Sequence, residues 1–182
     1  MDRGTDSYHR YLGGDDEGLV EIIRDYKDGL ILFLNRYTGD ILLAEELAED
    51  TFFRLVSRRP RFTEKFSFKT WLYTIGRNVA LNHLKRAGRQ TSLAEQLPDG
   101  ETESLERAYL REERRIAVHR ALNRLRPEYG QVLHLKYFED MTNEQAAQIM
   151  GKTKRQVENL LYQAKSALRR ALEMEDICYE EL

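Results

Sequence analysis

Between positions 58 and 86, five aromatic residues (Phe62, Phe66, Phe68, Trp71, Tyr73) interleave with eight cations (Arg58, Arg59, Arg61, Lys65, Lys69, Arg77, Lys85, Arg86). Rings beside cations suit single-stranded nucleic acid, because each base stacked on an aromatic contributes ~1–3 kcal/mol while the cations neutralise the backbone. Asn78 and Asn82 lie one helical turn apart beside Arg77, and a side-chain amide, donor and acceptor together, can read a base edge. Core packing competes for aromatics at helical spacing, and it is the better reading of Phe68 and Leu72. The candidate strand contacts are Arg61, Phe62, Lys65, Lys69, Trp71, Arg77, Asn78, Asn82, Lys85 and Arg86.

A second constellation lies near the C-terminus. Residues 142–145 (Thr-Asn-Glu-Gln) and 153–156 (Thr-Lys-Arg-Gln) each have the form of a capping box, in which the threonine hydroxyl accepts an N–H three residues on and the glutamine reaches back. Gly151 suits the left-handed position after a helix that ends at Met150. Two helices then meet across a three-residue turn, the geometry of a helix-turn-helix whose second helix enters the major groove. Small Ala146 and Ala147 permit close packing, and Val157, Leu160, Leu161, Ala164, Leu168 and Leu172 go to the core. The candidate groove contacts are Thr142, Lys152, Lys154, Arg155, Gln156, Asn159, Tyr162 and Lys165.

Catalytic chemistry has little support. Gly151-Lys152-Thr153 imitates the end of a P-loop, but Ala146 stands where that motif needs its first glycine and no strand precedes it. His9, His83, His119 and His134 are far apart and do not fall at metal-ligand spacing. The single Cys178 can form neither an intramolecular bridge nor a thiolate cluster, which fits a reducing compartment. No run approaches the ~18 apolar residues of a membrane span, and the first residues lack the apolar run of a signal peptide. The expectation is a soluble cytoplasmic protein, not an enzyme, with no cofactor, no metal and no membrane insertion.

The elements that must position these residues are helices. Of 182 residues 33% are charged and only three are proline, both favourable to helix. Apolar positions at helical spacing predict helices over 16–37, 41–57 and from Ser67 to about 86, with Ser67 as an N-cap. Periodicity vanishes over 88–104, and a helix follows over 105–125. Pro127 then suits the first position of a helix using Val132, Leu135 and Phe138. The chain therefore reads as all-α, with two small helical domains at 1–88 and 105–182 joined by a flexible acidic linker at 89–104. Charge follows the same division. Residues 51–90 hold ten Lys or Arg against one acid, a balance of +9, and 142–171 stand at +4, whereas 40–50 carry five acids and no base. The formal charge of −2 for the whole excludes a uniformly basic nucleic-acid coat.

With these features in place, the sequence over 18–172 resembles the extracytoplasmic-function group of bacterial RNA polymerase sigma factors. Three stretches carry the resemblance: 44–52 (AEELAEDTF), 68–78 (FKTWLYTIGRN), and 125–129 (LRPEY) continuing to 135–138 (LKYF). It implies two helical domains that are joined only in the polymerase holoenzyme. The first would bind the clamp helices of core RNA polymerase through Glu45, Glu46, Glu49, Asp50 and Phe53, and melt the minus-ten element with the strand contacts named above. The second would bind the polymerase flap and read the minus-thirty-five element of promoter DNA through its helix-turn-helix. An anti-sigma factor is a further implied partner. The chain departs from the family pattern at Glu158, Leu160 and Gln163, where bases are usual, so Lys152, Lys154 and Arg155 are expected to supply phosphate contacts instead. The rival reading is an autonomous helix-turn-helix repressor, which a specific duplex footprint without polymerase would favour.

Overall fold

The computed structural model describes residues 2–63, 65–90, 121–122 and 124–173. Residues 91–104 of the predicted linker at 89–104, nearly all of the predicted helix at 105–125, and Cys178 lie outside the described residues, while positions 89 and 90 continue helix. Helices α1 (Arg3–Leu12), α2 (Glu17–Thr38), α3 (Ile41–Arg58) and α4 (Phe68–Gln90) form the first domain. In the second, α5 (Pro127–Leu133) runs into a π turn (His134–Phe138), followed by α6 (Asn143–Met150) and α7 (Lys154–Glu173). No strand occurs among the described residues.

The sequence did not predict α1, whose apolar content is slight. What holds it is burial of Tyr8 and Tyr11 and the carboxylate of Asp2. Asp2 accepts from the Gly4 N–H at the start of α1 and, at 2.7 Å, from the Phe68 N–H at the start of α4. One side chain thus satisfies donors that two helix ends would otherwise leave orphaned. Ser67 adds its predicted cap by accepting from the Thr70 N–H. Asp40 caps α3 through the Leu42 and Leu43 N–H groups.

The second domain keeps both predicted capping boxes. Thr142 accepts from the Gln145 N–H and Thr153 from the Gln156 N–H, and each glutamine accepts the reciprocal bond at 2.8 Å. Gly151 lies at φ 63, where a side chain would be strained. Pro127 occupies the first turn of α5. Phe138 departs from the expected core position. The π turn adds a residue to the helical repeat, so His134 and Leu135 are buried together while Phe138 rotates outward and stacks on the His134 ring at 5.2 Å.

The two domains touch, which corrects the expectation that they meet only in a holoenzyme. Helix α6 lies on α4, and α5 with the π turn lies on α2. Their buried apolar side chains form one continuous core. The physical reason is that α2 and α4 bury apolar residues on two sides, one toward α3 and the other, through Phe33 and Tyr73, toward the second domain.

Thr153→Ala is expected to destabilise the chain by about 1 kcal/mol through loss of the α7 cap. Thermal unfolding of the variant beside the wild type checks this, and an unchanged midpoint would mean that packing alone sets the start of α7.

Candidate nucleic-acid interface

The strand-contact candidates divide between two faces of α4. Asn78, Asn82, Lys85 and Arg86 are exposed on its open side and continue the row begun by Trp71 and Ile75. Lys69 and Arg77 face the second domain. Lys69 Nζ lies 2.6 Å from a Glu139 carboxylate oxygen and donates to the Glu139 carbonyl at 3.0 Å. Arg77 donates to the Met150 carbonyl at 3.0 Å, at the end of α6. Tyr73 is fully buried and Phe68 is core, as the packing reading of Phe68 required.

The loop before α4 carries the rest. Phe62 and Trp71 pack together at 5.2 Å, half-buried, in a cluster with Phe68 and Tyr8. From α1, the Tyr8 hydroxyl donates to the Pro60 carbonyl at 2.7 Å, and Arg59 lies over the Tyr11 ring. Arg61 and Lys65 project into solvent. The loop is therefore clamped at its aromatic base and cationic at its rim. That arrangement offers stacking edges and phosphate partners to a flexible strand.

On α7, Lys154, Arg155, Gln156, Asn159, Tyr162 and Lys165 are exposed, Tyr162 to 80%. Val157 and Ala164 are buried beneath them. Lys154 pairs with Glu144 at 2.8 Å and Lys152 with Glu128 at 3.1 Å. Such exposed pairs are worth little and exchange readily for phosphates. Thr142 is committed to its capping box.

Helix α3 presents a third surface. Leu42, Glu46, Glu49, Phe53 and Val56 recur at helical spacing and are all exposed, Leu42 to 55% and Phe53 to 65%; Asp50 is exposed beside them. Apolar side chains among acids that pair with none of the described residues fit a partner that is both apolar and basic. Glu45 differs from its expected role, since it lies 3.9 Å from Lys27 within the chain. Leu42 went unnoticed in the sequence, and Val56, which the apolar spacing of the 41–57 helix predicts to be buried, is exposed instead; their i, i+4 and i, i+3 relation to Glu46 and Phe53 was the usable signal.

Glu139 also went unnoticed, and no local pattern announces it. Its carboxylate enters a notch above Gly29, where an added Cβ would lie 2.7 Å from one carboxylate oxygen and 2.6 Å from the Tyr73 hydroxyl. His134 Nε2 lies 3.2 Å from the same oxygen. Burial works against the Glu139 charge, but hydrogen bonds from His134 and Lys69 outweigh it and hold the pKa at about 2. Burial also keeps the His134 imidazole neutral by pushing its pKa down, with the Glu139 hydrogen bond opposing. A neutral imidazole facing a carboxylate must donate its Nε2–H. Among the described residues no group of three or more His, Cys, Asp or Glu could hold a metal, and no helix is long and apolar enough to cross a membrane.

An all-α chain in which a basic aromatic helix in one domain is followed by a helix-turn-helix in the next defines a two-domain DNA-binding protein. Residues 22–90 match the family model described as Sigma-70 region 2, and residues 115–168 match that described as Sigma-70, region 4. The chain belongs to the sigma-70 family of RNA polymerase sigma factors, in its extracytoplasmic-function group, and is a promoter-directing initiation factor. It is 28% identical over 175 residues to the RNA polymerase sigma-H factor of Pseudomonas aeruginosa, covering 90% of this chain and 91% of that one. To the ECF RNA polymerase sigma factor SigW of Bacillus subtilis it is 24% identical, over 87% of this chain and 91% of that one. Two solved structures share the fold. One is the sigma factor RpoE in complex with the anti-sigma factor NepR from Bartonella quintana (TM-score 0.65, 20% identity, 84% of this chain and 95% of that one). The other is CnrH in complex with the cytosolic domain of CnrY (TM-score 0.67, 19% identity, 95% and 99%). Neither the fold nor these relatives support the repressor reading.

The buried pair makes stability acid-sensitive. An unfolded imidazole takes its proton near pH 6.5 and the folded one only below that, so the contribution of neutral His134 is full above about 6.5 and erodes as pH falls. Glu139 follows, its contribution present above about 4.5 and lost toward about 2. Melting temperature is expected to fall from pH 7.5 to 5, with a shallower slope in His134→Phe, whose ring takes no proton. Differential scanning calorimetry across that range checks it.

Proposed function

We propose that the first domain grips core RNA polymerase through the exposed stripe of α3 and captures the melted minus-ten strand with α4 and the loop before it. The second domain engages the polymerase flap and presents α7 to the minus-thirty-five groove. The observation that carries this reading is the α3 stripe, where Glu46, Glu49 and Asp50 stand exposed beside Phe53 on a helix adjoining the basic, aromatic loop. Like charges at i, i+4, as in Glu46 and Asp50, cost a few tenths of a kcal/mol each in isolation. A basic partner surface relieves that cost. The reading assigns no catalysis and no cofactor to the chain. An anti-sigma factor is a further proposed partner, supported by the two complexes in which the related folds were solved. Reconstitution with core enzyme and genome-wide mapping of transcript starts tests the function as a whole.

Two substitutions test the assignment of surfaces. Glu46→Lys with Asp50→Lys is expected to abolish co-purification with core polymerase while circular dichroism shows unchanged helix content; retained affinity would place the polymerase on another face. Asn78→Ala, at an exposed position, is expected to alter preference at one minus-ten base by about 1–3 kcal/mol if the amide contact is bidentate. Transcription assays on a set of single-base promoter variants read this out, and uniform loss on all of them would assign Asn78 a structural role.

A further inference from the structure

We infer that α1 splints the loop before α4, and that Asp2, Tyr8 and Tyr11 are positioning residues: by fixing both ends of that loop they set which minus-ten bases it accepts. The inference rests on the proposed function and deepens it, because α1 (Arg3–Leu12) lies outside the residues 22–90 matched to region 2. The loop has little of its own to hold it in one shape. Among the described residues, the one backbone bond inside 60–67 runs from the Lys65 N–H to the Thr63 carbonyl at 2.7 Å. Three candidate strand contacts, Arg61, Phe62 and Lys65, depend on that shape.

Each end of the loop is fastened to α1. At the first end the backbone of Arg59 is left-handed (φ 40, ψ 56), a conformation that a residue with a side chain keeps only where its surroundings impose it. Two side chains of α1 do so. The Arg59 guanidinium lies 5.3 Å from the centre of the Tyr11 ring, and the next carbonyl, that of Pro60, accepts from the Tyr8 hydroxyl at 2.7 Å. Tyr8 is fully buried, and burial pushes its pKa up to about 12, so the hydroxyl keeps the proton it donates. The Tyr8 ring also packs at 5.2 Å on Trp71, a candidate strand contact. At the far end the Asp2 carboxylate accepts from the Phe68 N–H at 2.7 Å. Helix α1 has no slack in which to shift, since an added Cβ at Gly4 would meet the Phe68 ring and the Tyr26 hydroxyl. One seated element thus defines the span between the loop ends, and with it the places of Arg61, Phe62 and Lys65 relative to Trp71 and Asn78. A loop held in this way has less conformational entropy to lose when a strand binds, and a strand whose bases fit the held shape gains most.

The test uses the full-length chain, alone and with core polymerase. Tyr8→Phe keeps the ring and removes only the hydroxyl. Trp71, the one tryptophan of the sequence, is half-buried against Phe62, so acrylamide quenching of its fluorescence reports how the loop is seated. In the free variant, quenching is expected to rise toward that of the unfolded chain. With core polymerase, abortive initiation is measured on promoters varied one base at a time. The best-to-worst ratio at one or more minus-ten positions is expected to narrow by about three- to tenfold, the contribution of one hydrogen bond, while the minus-thirty-five series is unchanged. Asp2→Ala frees the other end of the loop and is expected to act alike; it decides by the same readouts should Tyr8→Phe fail to fold. The splint is overturned if quenching matches the wild type or if minus-ten preference is unaltered. Equal loss on every promoter, in step with a lower melting temperature, overturns it too and leaves α1 a purely structural part. A wild-type holoenzyme that initiates at none of the promoters would overturn the sigma function itself, and quenching would still decide whether α1 holds the loop.

Discussion

The packing of this molecule turns on one buried carboxylate. A charge taken out of water is costly unless it is paired and hydrogen-bonded, and Glu139 meets both conditions with groups from different parts of the chain. Lys69 supplies the countercharge from α4, His134 a hydrogen bond from the π turn, and Gly29 the space within α2. Remove Lys69 or His134 and the buried carboxylate loses part of its compensation; add a side chain at Gly29 and its notch is filled. Three elements separated widely in sequence are therefore obliged to arrive at one point, which fixes how the domains face each other. It also explains why Lys69, within the basic block of 51–90, is turned inward.

Helix positions, caps and the helix-turn-helix were legible in the sequence because each is written in local chemistry. Thr142 with Gln145, Thr153 with Gln156, and Pro127 act over three or four residues. Glu46, Glu49, Asp50 and Phe53 were singled out by the family resemblance, and all four are exposed. Other features rested on partners far away in sequence. Helix α1 carries few apolar residues, and its hold depends on Tyr8 reaching Pro60 and Asp2 reaching Phe68. The π turn depends on burying His134 and Leu135 together, a demand set by α2. Lys69 and Arg77 belong by composition to the basic block of 51–90, and nothing within that block shows that two of its cations turn toward Glu139 and Met150.

Charge and apolar surface are distributed with a division of labour. Glu46, Glu49 and Asp50 of α3 pair with none of the described residues of the basic loop close by in sequence, because Asp40, Pro60 and the α1 clamp fix that helix and that loop in separate orientations. Each surface keeps its own sign of potential, which suits partners of opposite charge on different sides. The ion pairs of Lys152 and Lys154 on the second domain hold long side chains near α7 without binding them tightly.

The π turn has one more implication. A helix advances about 100° per residue, so the widened turn over His134–Phe138 works as a phase adjuster, setting the rotational position of everything that follows it. Deleting one residue there would restore an unbroken helical repeat and swing the side chain of Glu139 about a quarter-turn from its notch. A change of sequence length at this point differs in kind from a substitution: it leaves every residue of the interface chemically intact and aims them all at the wrong place. The orientation of one domain on the other thus depends on counting residues in this segment, as well as on which residues they are.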